Sequence, residues 1–347
     1  MTPLDIAEFF QIPAEWPVNP DGPAADEQAV LWARRTRQAL TPEEVAFVRN
    51  ATYGQSMGTA FQRARGERLQ AITDWVTCAF FLDDMFLGML KHPGRVEAVL
   101  NDAVEVMYAL PGTLRRPLKG PERGLSDVME RLRELGPPRW VARFQQGMRF
   151  WMAGIHEKQL ALSIGAPIGL EAYWRIRPAD IGVTPGFPLL EMVGENFLPE
   201  MVASSHEIER MQVLVCEAIA IQNDVVSLGR DRRDRDLNLI LVLEEAYGMT
   251  ERKALEKCRE WYFERIEEFD TLRPVLQQRC AHLPAPEREV VHDVLQDYRD
   301  LFHGTMHAQM RSGRYRSTLE NAPSPTGTGG RPAFLDEYAD VFAERGL

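Results

Sequence analysis

The chain has 347 residues, with 40 Lys and Arg against 51 Asp and Glu for a formal net charge of −11. No long Lys/Arg block is present that could neutralise a phosphate backbone, which argues against nucleic acid as a partner. Asp83, Asp84, Glu217 and Asp224 interrupt the longest apolar runs, so none supplies the roughly 20 residues of a membrane span.

The start, MTPLDIAEFFQIP, has no basic region followed by an apolar block and does not read as a secretion signal. Residues 1–25, with IPAEWPVNPDGP, are Pro-rich and are expected as an irregular strap over the helices. From residue 26 to about 311, apolar residues recur every three or four positions and alternating runs are nearly absent, which predicts an all-α domain over 26–318. Thr41 with Pro42 and Glu44, and Ser204 with Glu207, have capping-box spacing and mark helix starts. Breaks are expected at ALPGT (109–113), ELGPP (134–138), IGAP (164–167) and GVTPGFP (182–188). Between them, residues 138–165 and 204–232 are long enough, at about 1.5 Å per residue, to cross a whole domain. A single helical bundle is the expected fold. Residues 319–332, rich in Pro, Gly, Ser and Thr, read as a flexible linker to a short amphipathic tail, 333–347. Cys78, Cys216, Cys258 and Cys280 show no CxxC spacing, as expected of buried thiols in a cytoplasmic protein.

Four short features carry chemistry. The first is Asp83-Asp84 in AFFLDDMFLGML. Trp75, Val76, Ala79 and Phe80 lie one or two turns earlier on roughly the same face, so the acid would cap an apolar surface. An unpaired carboxylate there is costly unless a divalent cation or an Arg neutralises it; a DD pair taken alone is equally a helix end or a solvated kink. The second is Asn223, Ser227 and Asp231 at i, i+4 and i+8, which leaves three oxygen donors on one helical stripe. Amide, hydroxyl and carboxylate suit a hard cation such as Mg²⁺. Such a stripe is also compatible with a solvated face, yet the preceding VLVCEAIAI is almost wholly apolar. The third is YWRIRPADIG, where a helix break at Pro178 gathers Arg175, Arg177 and Asp180. The fourth is Arg314-Tyr315 in GRYRS, which by itself says almost nothing.

In this order the four features resemble a class I terpene synthase of the single-domain microbial type. NDVVSLGRD matches the family's second metal motif at each ligand position, with Asp231 where Glu is commoner. The resemblance implies a class I terpenoid synthase-like all-α domain enclosing an apolar active-site cavity. It implies a lyase that holds a prenyl diphosphate through Mg²⁺, three ions in the family, with Asp83 and Asp84 on one wall and Asn223, Ser227 and Asp231 on the other. Arg177, 46 residues before Asn223, falls at the diphosphate-sensing position. Asp180 then falls at the linker position, and Ile181 and Gly182 at the effector position. Arg177, Arg230, Arg314 and Tyr315 would donate to the diphosphate. Phe80 is the first candidate to stabilise a carbocation by its ring face, ahead of Phe81, Trp75, Phe150, Phe187 and Phe302.

One departure stands out: DDMFLGML carries no acid at the third position, Leu87 or Gly88. A second Asp-rich motif is also missing, which argues against a chain-elongating prenyltransferase. Family frequency favours farnesyl diphosphate, with geranyl and geranylgeranyl diphosphate as alternatives and a hydrocarbon or an alcohol as product; a homodimer is compatible with the family. Two other readings stay open at this point. His292-Asp293 admits an HD-type phosphohydrolase, although no further ligands can be assigned, and the missing acid admits a non-catalytic helical isoprenoid-binding protein. Neither His156-Glu157 nor His206-Glu207 extends to HExxH, so a zinc protease is disfavoured.

Overall fold

Pro and Gly punctuate the chain into helices long enough to span it. The computed structural model describes residues 3–87, 89, 92–312 and 333–346. In order these are α1 (Pro3–Phe9), α2 (Gly22–Arg35), α3 (Pro42–Ala51), α4 (Tyr53–Ala60), α5 (Gly66–Leu87), α6 (Pro93–Tyr108), α7 (Pro121–Leu135) and α8 (Pro138–Ile164). Then come α9 (Leu170–Asp180), α10 (Gly186–Val193), α11 (Glu200–Ala203), α12 (His206–Asp234), α13 (Leu239–Tyr247), α14 (Glu251–Arg279) and α15 (Ala285–Arg311). No strand occurs among the described residues, as the periodicity requires. The central helix is α12, packed against α9, α14 and α15; α4 and α5 close one side and α8 another. By length and composition α12 could cross a membrane, but its apolar window is 78% buried inside the bundle.

Local chemistry fixes the ends. Thr41 caps α3 as expected, its hydroxyl accepting from Glu44 N at 3.1 Å while the Glu44 carboxylate accepts from Thr41 N at 2.9 Å. The second cap is displaced by one residue. Ser204 closes the short α11, and Ser205 Oγ accepts from Ile208 N to start α12. The break expected at Pro178 falls after Asp180: Pro178 lies inside the last turn of α9, where it offers no N–H to the Trp174 carbonyl, and the helix ends two residues later. The irregular strap expected over 1–25 narrows to residues 10–21, since Pro3–Phe9 forms a helix and α2 opens at Gly22. Trp16 pins that strap, its indole donating to Thr59 O at 3.0 Å and stacking on His307. All four cysteines are free and buried, as expected.

The expected linker and the Arg314-Tyr315 pair lie outside the described residues, as does the side chain of Asp84. Beyond them the amphipathic segment is docked. Phe334, Leu335, Tyr338 and Phe342 are buried, and Phe334 packs edge-on against Phe81. A Cβ on Gly120 would come within 2.8 Å of the Phe334 ring, so this contact needs glycine there.

Candidate active site

One face of α8 shapes the site. Gly147, Trp151, Gly154 and Lys158 recur at helical spacing and all face the α9–α10 break. A Cβ at Gly154 would stand 2.5 Å from Asp180 N, and one at Gly147 3.0 Å from Pro185, so the two glycines let the broken segment lie directly on α8. Trp151 Nε1 donates to the Asp180 carbonyl at 3.1 Å. Gly182, at φ 75°, turns the chain into α10. The break thereby presents Ile181, Gly182 and Val183 to a cavity in the middle of the bundle.

That cavity encloses about 1050 Å³ of empty space, its mouth included. Its apolar wall consists of Met57, Ala60 and Phe61 from the end of α4, Trp75, Val76, Ala79 and Phe80 from α5, Trp151 from α8 and Leu301 from α15. Its rim carries Asp83, Lys158, Arg177, Asp180, Asn223, Arg230 and Asp236. The Phe80 ring is stacked on Tyr53 at 4.9 Å, which fixes its orientation. A second, acidic hollow with Arg63, Asp293, Asp297 and Asp300 shares Ala60 and Phe61 with this one.

Arg177 organises the rim. Its guanidinium donates to Asp224 Oδ1 from Nε at 2.9 Å and from Nη2 at 2.7 Å, to Asp180 Oδ2 at 2.7 Å and to Asn223 Oδ1 at 2.8 Å. Burial opposes its charge, but Asp224 and Asp180 outweigh burial and hold the pKa well above the ordinary value. Burial lifts Asp224 to about 6 against the pull of Arg177. Asp224 Oδ2 also accepts from Tyr173 OH at 2.7 Å and from Leu239 N at 2.6 Å, which satisfies a carboxylate that is fully buried.

The α12 stripe is assembled as its spacing predicts, with a difference in depth. Asn223 lines the cavity, whereas Ser227 and Asp231 lie buried beneath it. Ser227 Oγ donates to the Asn223 carbonyl at 2.7 Å and meets the Asp231 carboxylate. Asp231 also accepts from Arg230 Nε at 3.0 Å and from Asn238 Nδ2 at 2.9 Å. Thus Asp83, Phe80, Arg177, Asp180, Ile181, Gly182, Asn223 and Arg230 face one cavity, with Ser227 and Asp231 one layer behind. Of the weaker aromatic candidates only Trp75 lines it. Phe81 packs on Phe47 and Phe334, Phe187 and Phe302 are core, and Phe150 is exposed. His292 and Asp293 line the neighbouring hollow, where Asp293 pairs with Arg63, so the phosphohydrolase reading finds no support at the chamber.

The donors fit a hard cation: Asp83, Asn223, Ser227 and Asp231 would ligate through oxygen, and among the described residues no His or Cys lines the cavity. Among the described residues no group of three or more His, Cys, Asp or Glu is placed to hold a metal, so the donor set depends on the amide and the hydroxyl as well.

Two rim residues went unread in the sequence, Lys158 and Asp236. Lys158 Nζ lies 2.9 Å from Asp180 Oδ1 and 3.6 Å from Asp236 Oδ1. Burial opposes the Lys158 charge, but Asp180, Asp236 and Asp83 outweigh it and hold its pKa above the usual value. Burial likewise opposes ionisation of Asp236, and Lys158, Arg177 and Arg230 hold its pKa below the ordinary one. The available signal was a lone Lys on an otherwise glycine and aromatic face of α8.

A helical bundle with an apolar chamber and an oxygen-donor rim facing a buried Arg is the architecture of a class I terpenoid synthase. Residues 74–268, more than half of the chain, match the family model "Terpene synthase family 2, C-terminal metal binding". The chain belongs to this family: it is a terpene synthase, a lyase, of the microbial class I type. A (−)-β-caryophyllene synthase described as cyclising (2E,6E)-farnesyl diphosphate, from Saccharothrix espanaensis, is 27% identical over 97% of this chain and 94% of its own length. A pentalenene synthase of Streptomyces avermitilis is 25% identical over 92% of this chain and 96% of its own length. Among solved structures, a linalool/nerolidol synthase of Streptomyces clavuligerus in complex with 2-fluorogeranyl diphosphate superposes with a TM-score of 0.76 at 23% identity. That match covers 85% of this chain and 100% of the other. An α-eudesmol synthase gives 0.77 at 19% identity, covering 86% and 97%.

Proposed function

We propose that this terpene synthase is a Mg²⁺-dependent enzyme that ionises farnesyl diphosphate, releases pyrophosphate and converts the allylic cation to a sesquiterpene. The carrying observation is that Asp83 of α5 and Asn223 of α12, 140 residues apart in sequence, open onto one chamber together with Arg177. Relatives named for farnesyl diphosphate cyclisation support the chain length.

Asp83 and the Asn223, Ser227 and Asp231 stripe would hold the metal, and Asp84 would join them from α5. Bound Mg²⁺ supplies Lewis-acid pull on the diphosphate oxygens. The chain's own residues do the rest. Arg230 and Arg177 stand at the same rim and would donate to the departing group, joined by Arg314 and Tyr315. Among the described residues the wall from Met57 to Leu301 is apolar, and the one hydroxyl beside it, Thr305, is bonded to Gln222 and the Leu301 carbonyl, so the cation would be shielded while it rearranges. Phe80 and Trp75 present rings to that space, and the ring quadrupole stabilises a nearby positive charge. Asp180, Ile181 and Gly182 carry the response to diphosphate from Arg177 into the chamber, since the hydrogen bond from Arg177 Nη1 ties them to it.

The test is incubation with geranyl, farnesyl or geranylgeranyl diphosphate plus MgCl₂, followed by analysis of a hexane extract. A C15 hydrocarbon or alcohol from farnesyl diphosphate, abolished by EDTA, is expected. Turnover of only the C10 or C20 substrate would overturn the chain length, and EDTA-resistant turnover the metal dependence.

A further inference from the structure

Lys158 is 4% exposed, a depth at which an ammonium is costly unless paired. Its two partners belong to different elements. Asp180 ends α9, while Asp236 follows Arg235, whose left-handed backbone at φ 58° closes α12 and brings Asp236 N to the Asp231 carbonyl at 2.9 Å. Asp180 is gripped from three directions: Arg177 takes Oδ2, Trp151 takes the backbone carbonyl, and Lys158 stands at Oδ1. That Oδ1 is buried and accepts no hydrogen bond of good geometry among the described residues, so the Lys158 charge is what compensates it. Asp236 in turn accepts from Leu237 N at 2.8 Å, which holds its carboxylate toward the cavity rim.

One ammonium therefore joins the broken segment, which carries the sensing Arg and the Ile181–Gly182 backbone, to the turn that follows the donor stripe of α12. We propose that Lys158 is a positioning residue that ties the α9 break to this turn, so that Asp180 stays in register with Arg177 at the mouth of the chamber. The role rests on the terpene synthase reading of the site and adds to it a link between its two halves. Lys158 acts through Asp180 and Asp236, not on the substrate.

Lys158→Met alone leaves Asp236, whose side chain is 13% exposed, without its ammonium partner, so the informative protein is the double variant Lys158→Met with Asp236→Asn, which removes both charges. For it, kcat is expected to fall at least about tenfold, because a displacement of about 1 Å at a positioned group suffices for such losses. KM, and calorimetric affinity for inorganic pyrophosphate with MgCl₂, should stay within about threefold, since no diphosphate contact is removed. Amide exchange over residues 177–186, measured on the free full-length protein, should accelerate at least about fivefold as the segment loses its tether. A kcat within about twofold of the parent, or unchanged exchange, overturns the proposal. A pyrophosphate affinity lowered more than about tenfold also overturns it, by making Lys158 a direct ligand. If the parent turns over none of the three prenyl diphosphates, the functional reading fails, and the exchange comparison still decides whether Lys158 holds the break.

Discussion

Arg177→Ala separates the two roles the structure gives this residue. As a sensor alone, its loss would impair ionisation more than folding. The geometry predicts a second effect. Asp224 and Asp180 are 0% and 5% exposed, and both lose their guanidinium. Removing one partner of a buried pair costs about 3–5 kcal/mol, because the remaining charge stays desolvated. Two features place this case at the lower end: Asp180 keeps Lys158, and Asp224 keeps Tyr173 OH and Leu239 N. A loss of about 3 kcal/mol corresponds to a fall in Tm of about 4 °C for a chain of this size, at about 2.1 cal/mol/K of unfolding entropy per residue. Asp224 already sits at about 6 with Arg177 present, and without it the folded carboxyl rises further. The folded variant then binds a proton that the unfolded chain does not, so its deficit is larger at pH 8 than at pH 5.5. Thermal melts by circular dichroism at both pH values, with metal and substrate absent, read this directly. A Tm within about 2 °C of the parent at pH 8 would refute the buried pair as the organiser of the rim.

Asn223→Leu and Asp83→Ala should each lower turnover on the order of 100-fold or more, since even partners that merely orient a metal ligand cost 10- to 100-fold. Helical circular dichroism should persist, and normal turnover in both would remove the metal assignment. Gly186→Leu sets a Cβ that meets only Phe61, at 3.7 Å, on a backbone position that lines the chamber, so the added side chain takes up chamber space. Farnesyl turnover should fall at least about tenfold more than geranyl turnover, the scale on which pockets reject excess methylenes, and equal effects would place Gly186 away from the bound chain. Glu191 is raised by burial from 4.5 to about 7, against the opposing Arg143. Between those values the folded state holds more protons than the unfolded, so stability falls as pH rises through that window, by up to about 3 kcal/mol. Glu191→Gln should flatten the slope of Tm between pH 5 and 8, and an unchanged slope would assign it elsewhere.

The parts of the molecule that depend on local pattern were legible in the residues alone. Periodicity gave the all-α fold, Thr41 and Glu44 fixed a cap, and the Asn223, Ser227 and Asp231 spacing put three oxygens on one stripe. What depends on tertiary juxtaposition was not. Lys158 shares a helical face with Gly147, Trp151 and Gly154, but its burial follows only once α9 is laid across Gly154, and Asp236 becomes a rim residue only because Arg235 turns the chain back. Depth was equally invisible: the same stripe leaves Asn223 in the chamber and seals Ser227 and Asp231 behind it. The cap at Ser205 instead of Ser204 is a different kind of miss, since four residues of α11 claimed the first serine as their own terminus.

Ala60 and Phe61 face the hydrocarbon chamber on one side and a carboxylate-lined hollow on the other. Asp83, Arg177 and Asn223 line the same chamber from α5, α9 and α12, elements other than the end of α4 that forms this partition. A lineage could therefore trade dry termination for hydration by thinning a single ring, while every residue that starts the reaction stays as it is. On the proposed function, product identity and catalytic competence would then rest on different residues, open to selection one at a time.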